Sequence, residues 1–428
     1  MKTILTSIAA GSLLAALALA QPQPRYTVTD LGTLRGGTFS QATALSNNSI
    51  VSGLSTVADG TQHAVLWYQG RIIDVSKPGL LGPNSGAFGI NPSGQAAVLA
   101  ESLVKDPKDE NFCAYGTGLK CLPFFWQGGM MTPLPLLGGN NGSIGNINNG
   151  GEVVGIAENG NSDPDCPHTV SPSGTGPQVL DFEAVVWGPR QGEIRVLRPL
   201  PHDTVGVALW INDLGEAVGA SGTCANTGLP PLAFGPHAVI WERDGTAHDL
   251  GNLGGTANMG LSINNQGQVV GASTLTDKST PTESHAFLWT KETGKMRDLG
   301  TLSGDTASAG LGINDGGDVV GASFDADGNP RAYLWRNGVM TDLNTLIPAD
   351  SPLFLLFAFA INSRGEIAGF GVTSTGDVHG FLATPSNAFV SESFSPEAQG
   401  ETRRMVLSED ARRQLQQRLP FGRFGGRP

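Results

Sequence analysis

Three sets of residues in this 428-residue chain are able to do chemistry. Four histidines, His63, His237, His285 and His379, stand in similar settings, as in His285-Ala286-Phe287. Histidines that converge on one point bind a transition metal, with nitrogens about 2.0–2.1 Å from the ion. The four cysteines are Cys113, Cys121, Cys166 and Cys224. No Cys-x-x-Cys pair occurs among them, so the spacing of zinc and dithiol sites is missing. Five acids, Asp106, Asp109, Glu110, Asp163 and Asp165, crowd two stretches. Paired carboxylates roughly 5–10 Å apart hydrolyse glycosidic bonds. Asp325-Ala326-Asp327-Gly328-Asn329 has the start of a calcium loop without the acid that completes one. Nucleophile elbow, P-loop and His-Glu-x-x-His are all missing.

What these residues can do depends on what positions them, and that is a repeat. The phrase runs Asp249-Leu250-Gly251, then Ile263-Asn264, then Val269-Val270-Gly271, then His285-Ala286-Phe287-Leu288-Trp289. It restarts at Asp298-Leu299-Gly300 and closes at Trp335. The Ile-Asn step recurs at Asn91, Asn148, Asn212, Asn264, Asn314 and Asn362, with Ser46 in a degenerate first copy. Tryptophan recurs at positions 67, 126, 187, 241, 289 and 335, and the last copy reads His379-Gly380-Phe381-Leu382-Ala383. Each unit reads as four short strands. Alternating apolar residues end at Ile-Asn, a Gly-rich turn leads to Val-Val-Gly, a third strand ends in Trp, and a turn such as Asn337-Gly338 gives the fourth.

The ends of the array choose between a ring and a stack. The chain opens on a fourth-strand phrase, Tyr26 to Leu34, and its last copy stops after the third strand, at Ala383. An open solenoid needs caps at both ends. Here the N-terminal strand can complete the last sheet instead. Seven units over the 360 residues from Tyr26 to Pro385 give 360/7, or about 51 per unit, near the spacing of propeller blades. The expectation is an all-β, seven-bladed β-propeller of four-stranded antiparallel blades over residues 21–385, closed by the N-terminal strand. A β-solenoid is the alternative.

At this level the phrases resemble the bacterial extracellular HAF-repeat family, named for the tripeptide at His285-Ala286-Phe287, with His63-Ala64-Val65 and His237-Ala238-Val239 as variants. The resemblance spans Tyr26 to about Pro385 and implies secretion. The family has no established activity, so no functional residue carries over. Copies two and three lack the histidine.

Residues 1–20 read as a signal peptide: Lys2, an apolar stretch from Ile8 to Leu17, and Ala18-Leu19-Ala20 before cleavage. No transmembrane run follows in the mature chain. Residues 386–428 read as a polar linker and a short Arg-rich helix and tail, in which Leu407 to Leu419 begins at a Ser408 cap. A net charge of -12 argues against nucleic acid as a partner.

The repeats differ most between the second and third strands. From the Val-Val-Gly position to the Trp position the steps are 14, 28, 32, 22, 18, 14 and 14 residues. Blades two to five are therefore extended and adjacent, and functional residues favour such loops. All four cysteines lie there. Secretion favours disulfides, and three pairings exist. Cys113 with Cys121, inside one loop, and Cys166 with Cys224, on neighbouring blades, need the least rearrangement. The histidines sit on different blades and read as structural, as do the repeated asparagines, in turns. No residue set points to a catalytic centre, a cofactor or a metal. The expected function is a secreted, non-catalytic binding or scaffold propeller that contacts glycan, peptide or surface protein through the long loops of blades two to five. The alternative is an extracellular polysaccharide hydrolase or lyase.

Overall fold

A computed structural model describes residues 24–77, 79–166, 178–227, 234–276 and 283–386. The expected signal peptide, residues 1–20, and the expected linker and tail after Ser386 lie outside these, as do the tips of the long loops of blades three, four and five. The described chain forms seven four-stranded antiparallel sheets, each ordered consecutively from the axis outward except one. In the exception Arg25–Asp30 pairs with Val378–Ser386, the third strand of blade seven, with Tyr26 opposite Pro385 and Asp30 opposite Phe381. The molecule is a seven-bladed β-propeller closed by its N-terminal strand. No helix among the described residues is long and apolar enough to cross a membrane.

The repeated glycine has a steric cause. The first strand of every blade carries a bulge, for example between Ala42 and Ala44 or between Gly310 and Gly312. Beside the bulge a carbonyl presses on the second strand. A methyl group at Gly53 would meet the Gln41 oxygen at 1.9 Å, and one at Gly219 the Val207 oxygen at 1.8 Å. The apolar alternation expected to end at Ile-Asn is interrupted by the same bulge, as between Gly310 and Gly312.

The repeated tryptophans pack between blades. Trp187 and Trp241 are fully buried and donate from Nε1 to the Pro135 and Arg198 carbonyls of the preceding blade, at 2.7 Å each. Trp335 lies under the Arg297 guanidinium, 5.4 Å from its ring centre. Apolar side chains, among them Leu356, Phe357 and Leu311, build the largest core cluster, and Phe88, Leu209, Leu261 and Phe359 pack against it.

The asparagines do more than cap turns. Asn264 accepts the Gln266 and Gln268 N–H groups on Oδ1, and donates from Nδ2 to Gln268 Oε1 and to the Asn314 carbonyl of the next blade. A carboxamide has two acceptor and two donor sites, and all four are used. Each such asparagine, from Asn91 round to Asn362, hands one N–H to the next blade at 2.9–3.3 Å. In blade one, where Ser46 stands in the asparagine's place, Asn48 donates to the Pro92 carbonyl at 2.9 Å and completes the belt.

Closure can be tested by truncation. Tyr26 and Val28 are 1% and 9% exposed, packed on blades six and seven. Removing them forfeits roughly 3–6 kcal/mol of apolar burial and bares the edge of the third strand, Val378–Ser386. Deleting Gln21 to Thr33 should therefore lower stability by that order, promote aggregation and abolish amide-exchange protection from Val378 to Leu382. Protection that survives in the truncated protein would refute the closure.

Candidate functional site

The repeat's own polar residues are committed to the scaffold. His63, His237, His285 and His379 each hold an aspartate of the same blade's outermost strand through Nδ1, at 2.8–3.1 Å: Asp74, Asp249, Asp298 and Asp30. The aspartate in turn accepts the N–H two residues on, from Gly251 to Asp249 at 2.8 Å and from Gly300 to Asp298 at 2.7 Å. Those glycines sit at φ 78° and 73°, where a side chain is strained. The Asp-Leu-Gly phrase is thus an Asx turn anchored by the histidine. Burial raises the Asp30 and Asp298 carboxyls, but the imidazole and glycine hydrogen bonds prevail and leave both below the usual range. Where the histidine is replaced, the pairing changes. Arg331 binds Asp342 and Asp305 at 3.0 and 2.7 Å, while blade two carries Leu122 and blade three Glu183 at this position. The histidines are held blade by blade. Asp325 is likewise a hairpin turn, accepting the Asp327 and Asn329 N–H groups at 3.0 and 2.9 Å.

What varies is the face where the second strand passes to the third. There the cysteines pair as Cys113–Cys121 and Cys166–Cys224. The second bridge spans 58 residues and joins blade three to blade four. By chain entropy it restricts the unfolded chain by about 4 kcal/mol, against roughly 2.5 for the first. Asp163 lies beside it, but both sulfurs are already spent in the bond.

Of the five loop acids, two meet. Asp106 Oδ1 accepts the Lys108 and Glu110 N–H groups, shaping blade two's loop. Glu110 reaches into blade three's loop and accepts the Val179 and Leu180 N–H groups at 2.6 and 3.0 Å. Asp109 and Asp165 are exposed, and Asp163 accepts the Asp165 N–H at 2.8 Å. A residue outside that set completes the cluster. Glu158 is fully buried, accepts the Asn140 and Asn141 N–H groups at 2.9 and 2.8 Å, and hydrogen-bonds Glu110. The Asn141 amide sits among Asp106, Glu110 and Glu158 at 2.9, 3.4 and 3.2 Å.

A signal for Glu158 was present in the repeat. Its column reads Thr56, Glu101, Glu158, Gly222, Thr274, Phe324 and Val372. Thr56 and Thr274 accept N–H groups of the link leading into their own blade. In blades two and three a glutamate does this and reaches further, Glu101 to Thr117 and Glu158 to Gln178. The longer acid ties loop to scaffold where the loops are longest. Nearby, Asp181 and Glu183 share the Asn159 amide at 3.0 and 3.4 Å. Burial, then the charge of Asp181, pushes Glu183 up to about 7.

No protein family model and no curated protein matches the chain. Among solved structures it is similar to an oligogalacturonate lyase from Vibrio parahaemolyticus, at 11% identity and TM-score 0.46, over 83% of this chain and 93% of that one. It is similar to YCF48 bound to D1 peptide, at 11% identity and TM-score 0.47, over 87% and 99%. The lectin of Aleuria aurantia in complex with Fucalpha1-6GlcNAc matches at 10% identity and TM-score 0.36, over 83% and 98%. A lyase, a peptide complex and a lectin at such distances leave the ligand open.

The acid cluster gives a pH dependence. Burial, then the Glu110 carboxyl, pushes Glu158 up to about 8 from an ordinary 4.5. Between those values the folded chain holds a proton that the unfolded chain has lost, so stability falls as pH rises through the window. Glu158→Gln keeps the acceptor for Asn140 and Asn141 and donates to Glu110 as the protonated acid does. Its melting temperature should match the parent's near pH 5 and exceed it near pH 9. A difference that stays constant with pH would contradict the buried proton.

Proposed function

We propose that the chain is a secreted, non-catalytic binding or scaffold propeller that engages a glycan, peptide or surface protein through the long loops of blades two to five. The observation that carries this is the tying together of the described parts of the extended loops of blades two, three and four. Blade two's loop is closed by Cys113–Cys121 and latched to blade three by Glu110, and blade three is bridged to blade four by Cys166–Cys224. Pre-ordered loops lose little entropy on binding. Leu80, Leu103 and Val104 stand 77%, 62% and 59% exposed at the blade-two edge of this face, and their links adjoin, since a methyl on Gly82 would meet the Ser102 carbonyl at 2.6 Å. Exposed apolar side chains grouped together mark contact surfaces. Two disulfides fit an oxidising compartment, in keeping with the leader sequence and the HAF-type phrases.

One observation favours the enzymatic alternative, a polysaccharide hydrolase or lyase. Glu183 is part-exposed, is pushed up to about 7, and lies beside the Asp181 carboxyl, the setting of a general acid. The purified chain on glycan and peptide arrays, followed by turnover assays on every hit, separates the two. Binding without product is expected. Leu103→Ser with Val104→Ser, or shortening the loops after Val98, Gly155 and Gly219, should weaken binding about tenfold or more, while Glu183→Gln leaves it intact. An array on which no hit is weakened by any of the loop changes would sink the proposal, and turnover abolished by Glu183→Gln would replace it with the enzyme.

A further inference from the structure

The opposite face, where the first strands end, holds a depression on the propeller axis, open to solvent. One column of the repeat contributes Ala44, Asn146 and Trp210 to its lining. The residue before each Leu-Ser or Ile-Asn step is Ala44, Gly89, Asn146, Trp210, Ser262, Gly312 or Ala360. Most are small, as the close approach of the neighbouring blade requires at Gly89 and Gly312, where a methyl would meet Ile147 N at 2.8 Å and the Phe359 carbonyl at 2.7 Å, and blade four alone carries a large ring in this column. Trp210 is the chain's one tryptophan outside the third-strand position. It is part-exposed, lines the depression, and packs on both the cluster containing Ala44 and Ile90 and the cluster containing Ile263.

Around this indole runs a second polar ring, one residue beyond the asparagine belt. Asp213 accepts the Asn149 N–H and Nδ2 at 2.8 and 2.7 Å, and its own N–H goes to Asn265 Oδ1 at 2.9 Å. Asp315 accepts the Asn265 N–H and Nδ2 at 2.9 and 3.1 Å. Asn47 accepts the Ser363 N–H and hydroxyl at 3.0 and 2.9 Å. These planar groups are therefore fixed before any ligand arrives.

We propose that this axial depression binds a neutral saccharide, with Trp210 as the stacking platform and the Asn47, Asp213, Asn265 and Asp315 rim as hydroxyl partners. The C–H face of a sugar ring carries slight positive charge and suits the negative π-face of an indole. Amide and carboxylate groups offer both acceptors and donors to hydroxyls, and their pre-fixed geometry lowers the cost of binding. The lining contains no lysine, arginine or histidine, so two carboxylates repel an anionic sugar or phosphate. A cation fits less well. Both carboxylates are exposed and already accept amide and backbone N–H groups, and exposed ion pairs contribute only about 0–1 kcal/mol. The site lies on the other face from the long loops and stands or falls separately from them.

The test uses the full chain on an array of neutral and acidic oligosaccharides, with tryptophan fluorescence titration of each hit. Neutral glycans should bind, Trp210→Ala should abolish that binding, and Trp210→Phe should retain it within a few-fold, with melting temperatures showing that both variants fold. Asp315→Ala should weaken it about tenfold, and the loop-shortened variant should bind like the parent. Binding of no neutral glycan, binding unchanged in folded Trp210→Ala, or preference for acidic glycans or for arginine amide as a probe would each overturn the proposal.

Discussion

A four-stranded blade that is apolar on both faces cannot be stable alone, and the bond that commits it to its neighbours is a single carboxamide. Each asparagine at the end of a first strand accepts from its own turn on Oδ1 and donates both N–H groups, one to the side chain four positions on and one to the next blade. Aspartate has no donor, and serine lacks the reach to serve turn and neighbour together. Blade one shows the constraint by its exception, since the serine there is answered by Asn48 two residues later. At on the order of 1 kcal/mol per bond, a belt round the whole ring is comparable with the net stability of a domain.

That commitment divides the surface. On the belt's face three of the carboxylates that lead into second strands meet cations: Glu216 and Lys291, Asp318 and Arg336, Glu366 and Arg364. Burial works against Glu216 and Glu366, yet those partners hold both below the usual range. On the loop face Glu110 and Glu158 have no such ion pair among the described residues. They are satisfied by backbone N–H groups and one another, and burial raises Glu110, Glu158 and Glu183.

The parts of this legible in the sequence were those carried by spacing. The pitch, the four strands, the donated N-terminal strand and the cysteine pairs all follow from distances along the chain or from complementary ends. Interactions that join unrelated columns were not legible. Glu110 reads as one solvated acid among five because its partners are main-chain groups of Val179 and Leu180, about seventy residues on, whose N–H groups carry no sequence signal. The carbonyl that excludes a side chain at Gly53 exists only once a bulge forms. Asn264 could be read as a turn residue, but its second donor points to a neighbour that only ring closure supplies. Trp210 was visible as the tryptophan out of register, and the space it faces was not.

The copies within one chain can then be compared column by column, and departures separate into two kinds. Arg331 for histidine swaps one partner of the outer-strand aspartate for another. Glu158 for threonine does something else. It puts an acid where burial and another acid oppose its ionisation, although the column's threonines accept the same link N–H groups as neutral side chains. Ring closure does not require that cost, since the other blades close without it. What the acid adds is a tie from the scaffold to Gln178 and Glu110, and so to two long loops at once. Local rules are broken where function asks for it. The strain carried by Glu158 therefore supports reading the loop sector's fixed shape, rather than the repeat's histidines, as the feature this propeller is built to present.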